Sequence, residues 1–127
     1  MDIHKLLRKQ LHDESAIEFA VLIGSRANGT AQPDSDWDIA LQWNMQLDWL
    51  ELLGKTETLR RNIAEAMGIE SNKIDLIELR RSNLAMRASV AENGISLTGE
   101  ETLAWAYFLT RTWRELEDFY WDQSHAA

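Results

Sequence analysis

Apolar residues first recur at helical spacing. Ile3, Leu6, Leu7 and Leu11, with Lys5, Arg8 and Lys9 between them, predict a short amphipathic helix over residues 2–13 that lids the core. Residues 16–23 become continuously apolar at Phe19-Ala20-Val21-Leu22-Ile23, the pattern of a strand buried on both faces, and Gly24 ends it. Residues 24–35 contain Gly24, Ser25, Asn28, Gly29, Pro33, Asp34 and Ser35, too many turn formers for a lasting helix or strand, and predict a loop or broken turn. Over residues 36–43 the chain alternates. Trp37, Ile39, Leu41 and Trp43 fall on one face and Asp36, Asp38, Ala40 and Gln42 on the other, a second strand with a polar working face.

Leu47, Leu50, Leu53, Leu59, Ile63 and Met67 predict a helix over 47–67, stopped by Gly68 and open to a break near Gly54. Residues 73–79 read as a third strand, 84–91 as a helix ending at Asn93-Gly94, 95–98 as a short extended piece and 100–122 as the last helix. This order predicts an α/β (α+β) fold in which helices pack against a small mixed sheet. On a helical projection of residues 103–121, Trp105, Phe108, Leu109, Trp113, Leu116, Phe119 and Tyr120 fill one arc and read as core. Leu103, Tyr107 and Trp121 fall opposite, so helix 100–122 is expected to be a partner-binding element with those three side chains at the interface.

Composition narrows the class. The chain has 127 residues, 45% of them hydrophobic, and one proline, which suits one foldable domain over residues 1–127. Thirteen Lys+Arg against twenty-one Asp+Glu give a net charge of -8, which argues against an independent grip on a nucleic-acid backbone. With no cysteine, disulfides, thiolate zinc sites and cysteine nucleophiles are excluded, and any metal must sit on oxygen or histidine. His4, His12 and His125 lie near the termini and do not cluster. No apolar run approaches a bilayer span and residues 1–11 carry charges where a signal peptide would be apolar, so the expected location is cytoplasmic, away from membranes.

Chemistry concentrates between residues 24 and 38. Gly24-Ser25 closes a buried strand, ten residues follow, and Asp36-Trp37-Asp38 opens the next strand. Side chains at i and i+2 of a strand point the same way, so Asp36 and Asp38 can present two carboxylates to one point, where they repel unless a cation sits between them. Hard oxygen ligands suit Mg²⁺ or Mn²⁺, which bind one or two carboxylates together with substrate phosphates. Gly24 lets the backbone approach a ligand, and Ser25 offers a hydroxyl and an amide to a phosphate oxygen. These four residues at this spacing arise by chance in about one chain in a thousand of this length. Asp75, in Ile74-Asp75-Leu76, reads as a third carboxylate on a buried strand, too costly to bury without a partner or a metal. Arg26 either reaches a phosphate or caps the loop.

The stretch Gly-Ser-Arg-Ala-Asn-Gly-Thr, followed by Ser-Asp-Trp-Asp-Ile-Ala, resembles the signature of the nucleotidyltransferase superfamily. The small size resembles its minimal nucleotidyltransferase branch, the antitoxins encoded beside HEPN-domain ribonuclease toxins. The likeness is strongest over residues 17–43, looser through Ile74-Asp75-Leu76, and Asn93-Gly94-Ile95-Ser96-Leu97 is similar to the family's turn after the following helix. It implies a polymerase-β-like fold in which Gly24 and Ser25, with Arg26 beside them, bind the nucleotide, and in which Asp36, Asp38 and Asp75 are the catalytic, metal-binding carboxylates. Asn28 departs from the pattern, since many relatives carry a basic residue there.

Three functions are consistent with these features. One is a Mg²⁺-dependent transferase, with room for two ions, that moves AMP from ATP to a hydroxyl, favourably a tyrosine, of a HEPN toxin. Another is an antitoxin that masks its toxin by contact alone, and the third is a transferase acting on a small molecule. The complete Gly-Ser and Asp set favours catalysis over contact. A chain of 127 residues leaves little to build a separate small-acceptor pocket, so a partner protein is expected to complete the cleft.

Overall fold

The structure, a computed structural model, describes residues 2–44 and 46–126. Four strands, β1 (Ile17–Ile23), β2 (Trp37–Trp43), β3 (Ile74–Glu78) and β4 (Ile95–Thr98), form one sheet in the order β3-β2-β1-β4. β1 runs antiparallel to β2 and β4, whereas β2 and β3 are parallel. Helices α1 (Ile3–His12), α2 (Ser25–Asn28), α3 (Trp49–Met67), α4 (Leu84–Asn93) and α5 (Leu103–Ser124) surround it. The small mixed sheet with flanking helices is the architecture expected from the sequence.

Parallel neighbours need a crossover, and α3 supplies the one between β2 and β3. The helix runs unbroken through Gly54. Asp48 caps its start by accepting from the Glu51 amide at 2.8 Å, and buried Leu59, Ile63 and Ala64 anchor its second half. That packing outweighs the roughly 1 kcal/mol a mid-helix glycine costs.

Two cores lie on the two sides of the sheet. Leu7 and Leu11 of α1 and Leu59 and Ile63 of α3 pack on Trp37, Ile39, Leu41 and Trp43. On the opposite side Val90 of α4 and Phe108 of α5 pack on Phe19, Val21, Ile23 and Ala40. The second face of β2 is therefore not a polar working face along its length. Ala40 is fully buried there, and buried Gln42 is satisfied by donating to Glu18 Oε2 at 2.9 Å. Helices α4 and α5 cover the middle of that face and leave the Asp38 end open.

The last helix outruns the layer it packs on. Phe108 and Thr112 are buried, but Trp113, Phe119 and Tyr120, which the projection places in the core arc, are 38%, 47% and 60% exposed. Phe119 and Tyr120 keep the azimuth of the core, but they face Leu84, Ala85 and Ala88 of α4 across an open groove instead of closing on them. Leu103, Tyr107 and Trp121 are exposed as expected. Among the described residues, no helix is long and apolar enough to cross a membrane.

Candidate active site

The open end of the sheet is built by strand register. Asp38 of β2 lies opposite Asp75 of parallel β3 and opposite Ile23 of antiparallel β1, so the two carboxylates emerge side by side on the α4 and α5 side of the sheet. Asp75 is exposed rather than buried. Its branched neighbours Ile74, Leu76 and Ile77 pack on the two cores, but β3 is an edge strand whose position 75 lies beyond the helices' cover, so no burial cost attaches to it. Asp36 is exposed one residue before β2 begins, and its charge is still felt at Asp38.

Gly24 makes the closest approach to this pair. It leaves β1 with φ 73 and ψ -156, and its carbonyl accepts from the amides of Ala27 at 3.0 Å and Asn28 at 3.1 Å to start α2. Residues 24–35 are thus not wholly loop, since they contain one helical turn closed by Gly29 in the left-handed region. A Cβ on residue 24 would stand 2.5 Å from Asp38 Oδ2. Glycine is required there by conformation and by contact, and the backbone of the Gly24-Ser25 turn is pressed against the carboxylate. Half-buried Ser25 follows as the first residue of α2.

Arg26 faces elsewhere. Its Nη2 donates to the carbonyls of Ser35 at 2.9 Å and Pro33 at 3.3 Å, and the guanidinium lies 4.4 Å above the Trp37 ring. Of its two expected roles the structure displays loop capping: Arg26 ties α2 to the segment that delivers Asp36 and Trp37.

Burial raises the Asp38 carboxyl above its ordinary value, and the charges of Asp75 and then Asp36 add to the effect. A carboxyl raised in the folded state holds its proton to higher pH than it does in the unfolded chain. Its contribution to stability is therefore present at acid pH and lost as pH rises through the folded value. In excess chelator, Asp38→Asn should melt at or above the wild type at pH 8, with the difference closing towards pH 4. A lower melting temperature at pH 8 would show that Asp38 is held by favourable contacts rather than crowded by like charges.

Among the described residues, no group of three or more His, Cys, Asp or Glu side chains is gathered closely enough to hold a metal ion. Asp36, Asp38 and Asp75 share a field without closing into a cage. Mg²⁺ takes only one or two protein carboxylates when waters and substrate phosphates complete its shell, so paired Asp38 and Asp75 fit an ion that arrives with a triphosphate. A cavity of about 400 Å³ adjoins the site, lined by Ile23, Gly24, Ala27, Asn28, Ser89 and Asn93. Ser89 and Asn93 are residues of the site that the sequence reading did not select, although Asn93-Gly94 stood out as a turn. A Cβ at Gly94 would collide with Val21 Cγ1 and the Val90 carbonyl, so a glycine lets the end of α4 close onto β1 and brings Asn93 beside Gly24.

Residues 5–102 match the family described as Polymerase beta, Nucleotidyltransferase. The chain belongs to this nucleotidyltransferase family. No curated protein matches it in sequence. Among solved structures, the nucleotidyltransferase resembles a chain of a toxin-antitoxin crystal structure with AMP-PNP, at 24% identity and TM-score 0.71, over 95% of this chain and 93% of that one. It also resembles a chain of the toxin-antitoxin MntA-HepT, at 21% identity and TM-score 0.65, over 96% and 92% of the two chains. A third similar chain comes from a complex of tri-AMPylated Shewanella oneidensis HEPN toxin with MNT antitoxin, at 21% identity and TM-score 0.65, over 96% and 91%. At these identities the likeness is one of fold, and the polymerase-β-like sheet is common to all of them.

Proposed function

We propose that this nucleotidyltransferase is an antitoxin that transfers AMP from ATP to a hydroxyl of a cognate HEPN ribonuclease toxin. The observation that carries the reading is the approach of Gly24 to Asp38 with Asp75 in register beside it, an arrangement suited to a metal-bound triphosphate and to no structural need of the fold. Fold neighbours crystallised with AMP-PNP and with an AMPylated HEPN toxin support the choice of nucleotide and partner.

In this reading Asp36 and Asp38 hold the ion and Asp75 completes the set. Mg²⁺, one ion or two, neutralises the triphosphate and polarises the α-phosphate when bound. Gly24 and Ser25 fix the departing phosphates, with Arg26 bracing their turn. Asp75, exposed at the sheet edge, orients the acceptor hydroxyl and takes its proton. The acceptor oxygen bonds to the α-phosphorus as the bond to the β-phosphate oxygen breaks, and pyrophosphate leaves. A tyrosine is the favoured acceptor, because its phenol loses a proton more readily than an aliphatic hydroxyl and projects far into a shallow cleft. AMP on the toxin adds bulk and negative charge where RNA phosphates must bind. Exposed Leu103, Tyr107 and Trp121 contribute to the partner interface.

The test is intact-mass spectrometry of the toxin after incubation with the chain, ATP and Mg²⁺. An increment of one or more AMP units is expected. A toxin that stays unmodified yet is fully inhibited would instead identify an antitoxin acting by contact.

A further inference from the structure

The uncovered part of α5 and the outer face of α4 form a groove of about 590 Å³. Leu84, Ala88 and Ser89 line one wall and Leu116, Phe119 and Tyr120 the other, and the groove continues along α4 to Asn93. Ser89 and Asn93 also line the cavity beside Gly24, so one continuous surface leads from the exposed aromatics to the carboxylate edge. Arg87 fixes its geometry from below. This side chain is buried on α4 and bonds Glu115 of α5, locking the two helices together.

The groove's charge is one-sided. Glu92 is the one charged side chain that lines it, no Lys or Arg does, and Glu92 has no cation partner among the described residues. A second copy of this chain, itself at -8, would bring like charge to Glu92 and to an already acidic chain. An apolar helix flanked by Lys and Arg would bring opposite charge, and the small side chains Ala88 and Ser89 let a helix backbone come close. α4 has 10 residues, so the groove accepts about 15 Å of helix, or roughly three turns.

We propose that this groove seats an amphipathic, basic-flanked helix of the modified protein and delivers its acceptor hydroxyl to the Gly24–Asp38 edge. The inference rests on the transferase reading above and names the route by which the substrate protein reaches that site. Phe119 and Tyr120 grip the apolar stripe, Glu92 pairs with a flanking cation, and the acceptor side chain enters past Ser89 and Asn93.

The test compares wild type, Phe119→Ser/Tyr120→Ser and Ala88→Arg, each purified as the full chain, against the purified toxin. Calorimetry measures toxin affinity, a separate titration measures ATP affinity with Mg²⁺, and thermal melting checks the fold. Both variants should bind toxin at least tenfold more weakly and transfer AMP with a raised KM for toxin, while ATP affinity stays within twofold. Charge reversal at Glu92→Lys, on an exposed position that removes no core contact, should reproduce the loss and steepen it at low salt. Unchanged toxin affinity in Glu92→Lys and in either groove variant that keeps its melting temperature would overturn the proposal. Loss of toxin binding in these variants, with a wild type that binds toxin but never modifies it, would leave the groove standing and sink the transfer reading.

Discussion

Replacing Asp36 and Asp38 together by alanine should abolish AMP transfer while leaving the chain folded. The expected fall in rate is about a thousandfold or more, since removing one group that stabilises transition-state charge costs roughly a hundred- to a thousandfold and two groups are lost here. Folding should survive because Asp38 is crowded by burial and by the like charges of Asp75 and Asp36, so its loss relieves repulsion. ATP binding should fail as well. The chain's net charge of -8 and the clustered carboxylates at the site repel a triphosphate that comes without a cation, so wild-type binding should also disappear in excess chelator. Calorimetry with and without Mg²⁺ checks both statements, and ATP affinity that ignores chelator or survives the double substitution would overturn the assignment of these residues.

Gly24→Ala should be nearly as damaging, and for a different reason. At φ 73 and ψ -156 the residue occupies a region that is essentially reserved for glycine, so any side chain costs about 1–3 kcal/mol. The new methyl group would also meet Asp38 Oδ2 at 2.5 Å, and the carboxylate must swing out of register with Asp75. Gly29→Ala separates the two effects. Gly29 also has positive φ, at 83, but nothing lies within 4 Å of its added Cβ. Both variants should therefore melt earlier, while only Gly24→Ala loses metal-dependent nucleotide binding by tenfold or more. Equal nucleotide affinity in the two variants would show that the approach of Gly24 to Asp38 does not shape the site.

Much of the fold was legible because its strands announce themselves by extremes of pattern. The apolar run at residues 19–23 is buried on both faces, and the alternation from Trp37 to Trp43 holds one core in place. Asp38 and Gly24 were legible as chemistry for a related reason: a carboxylate and a glycine interrupt otherwise apolar strand ends. That Asp75 belongs beside Asp38 was legible through the family resemblance, but their residue-for-residue register was not, since the register of two parallel strands is set by tertiary packing through α3 and not by either strand's own sequence. Exposure of Asp75 escaped for the same cause, because branched neighbours mark a strand but do not say whether it lies at an edge. On α5 the periodicity gave the azimuth of Phe119 and Tyr120 correctly, yet azimuth does not say whether the facing helix closes on them or leaves a groove. Arg26 could be read either way until its two carbonyl partners were in view.

The overhang of α5 also has an energetic meaning. From Glu117 to Ser124 every residue is exposed, so the end of the helix is held by little beyond its own backbone and local bonds such as Ser124 Oγ to the Tyr120 carbonyl at 3.0 Å. Isolated helical turns are marginal in water, and their opening free energy lies near zero. In the free chain the amides of these turns should exchange with solvent early and the segment should be the first cut by protease. An occupant of the groove would have to offset the cost of ordering it, so part of its intrinsic affinity is converted into rigidity. If the groove seats a helix as proposed, the overhang acts as a clasp that stiffens as it closes on its occupant.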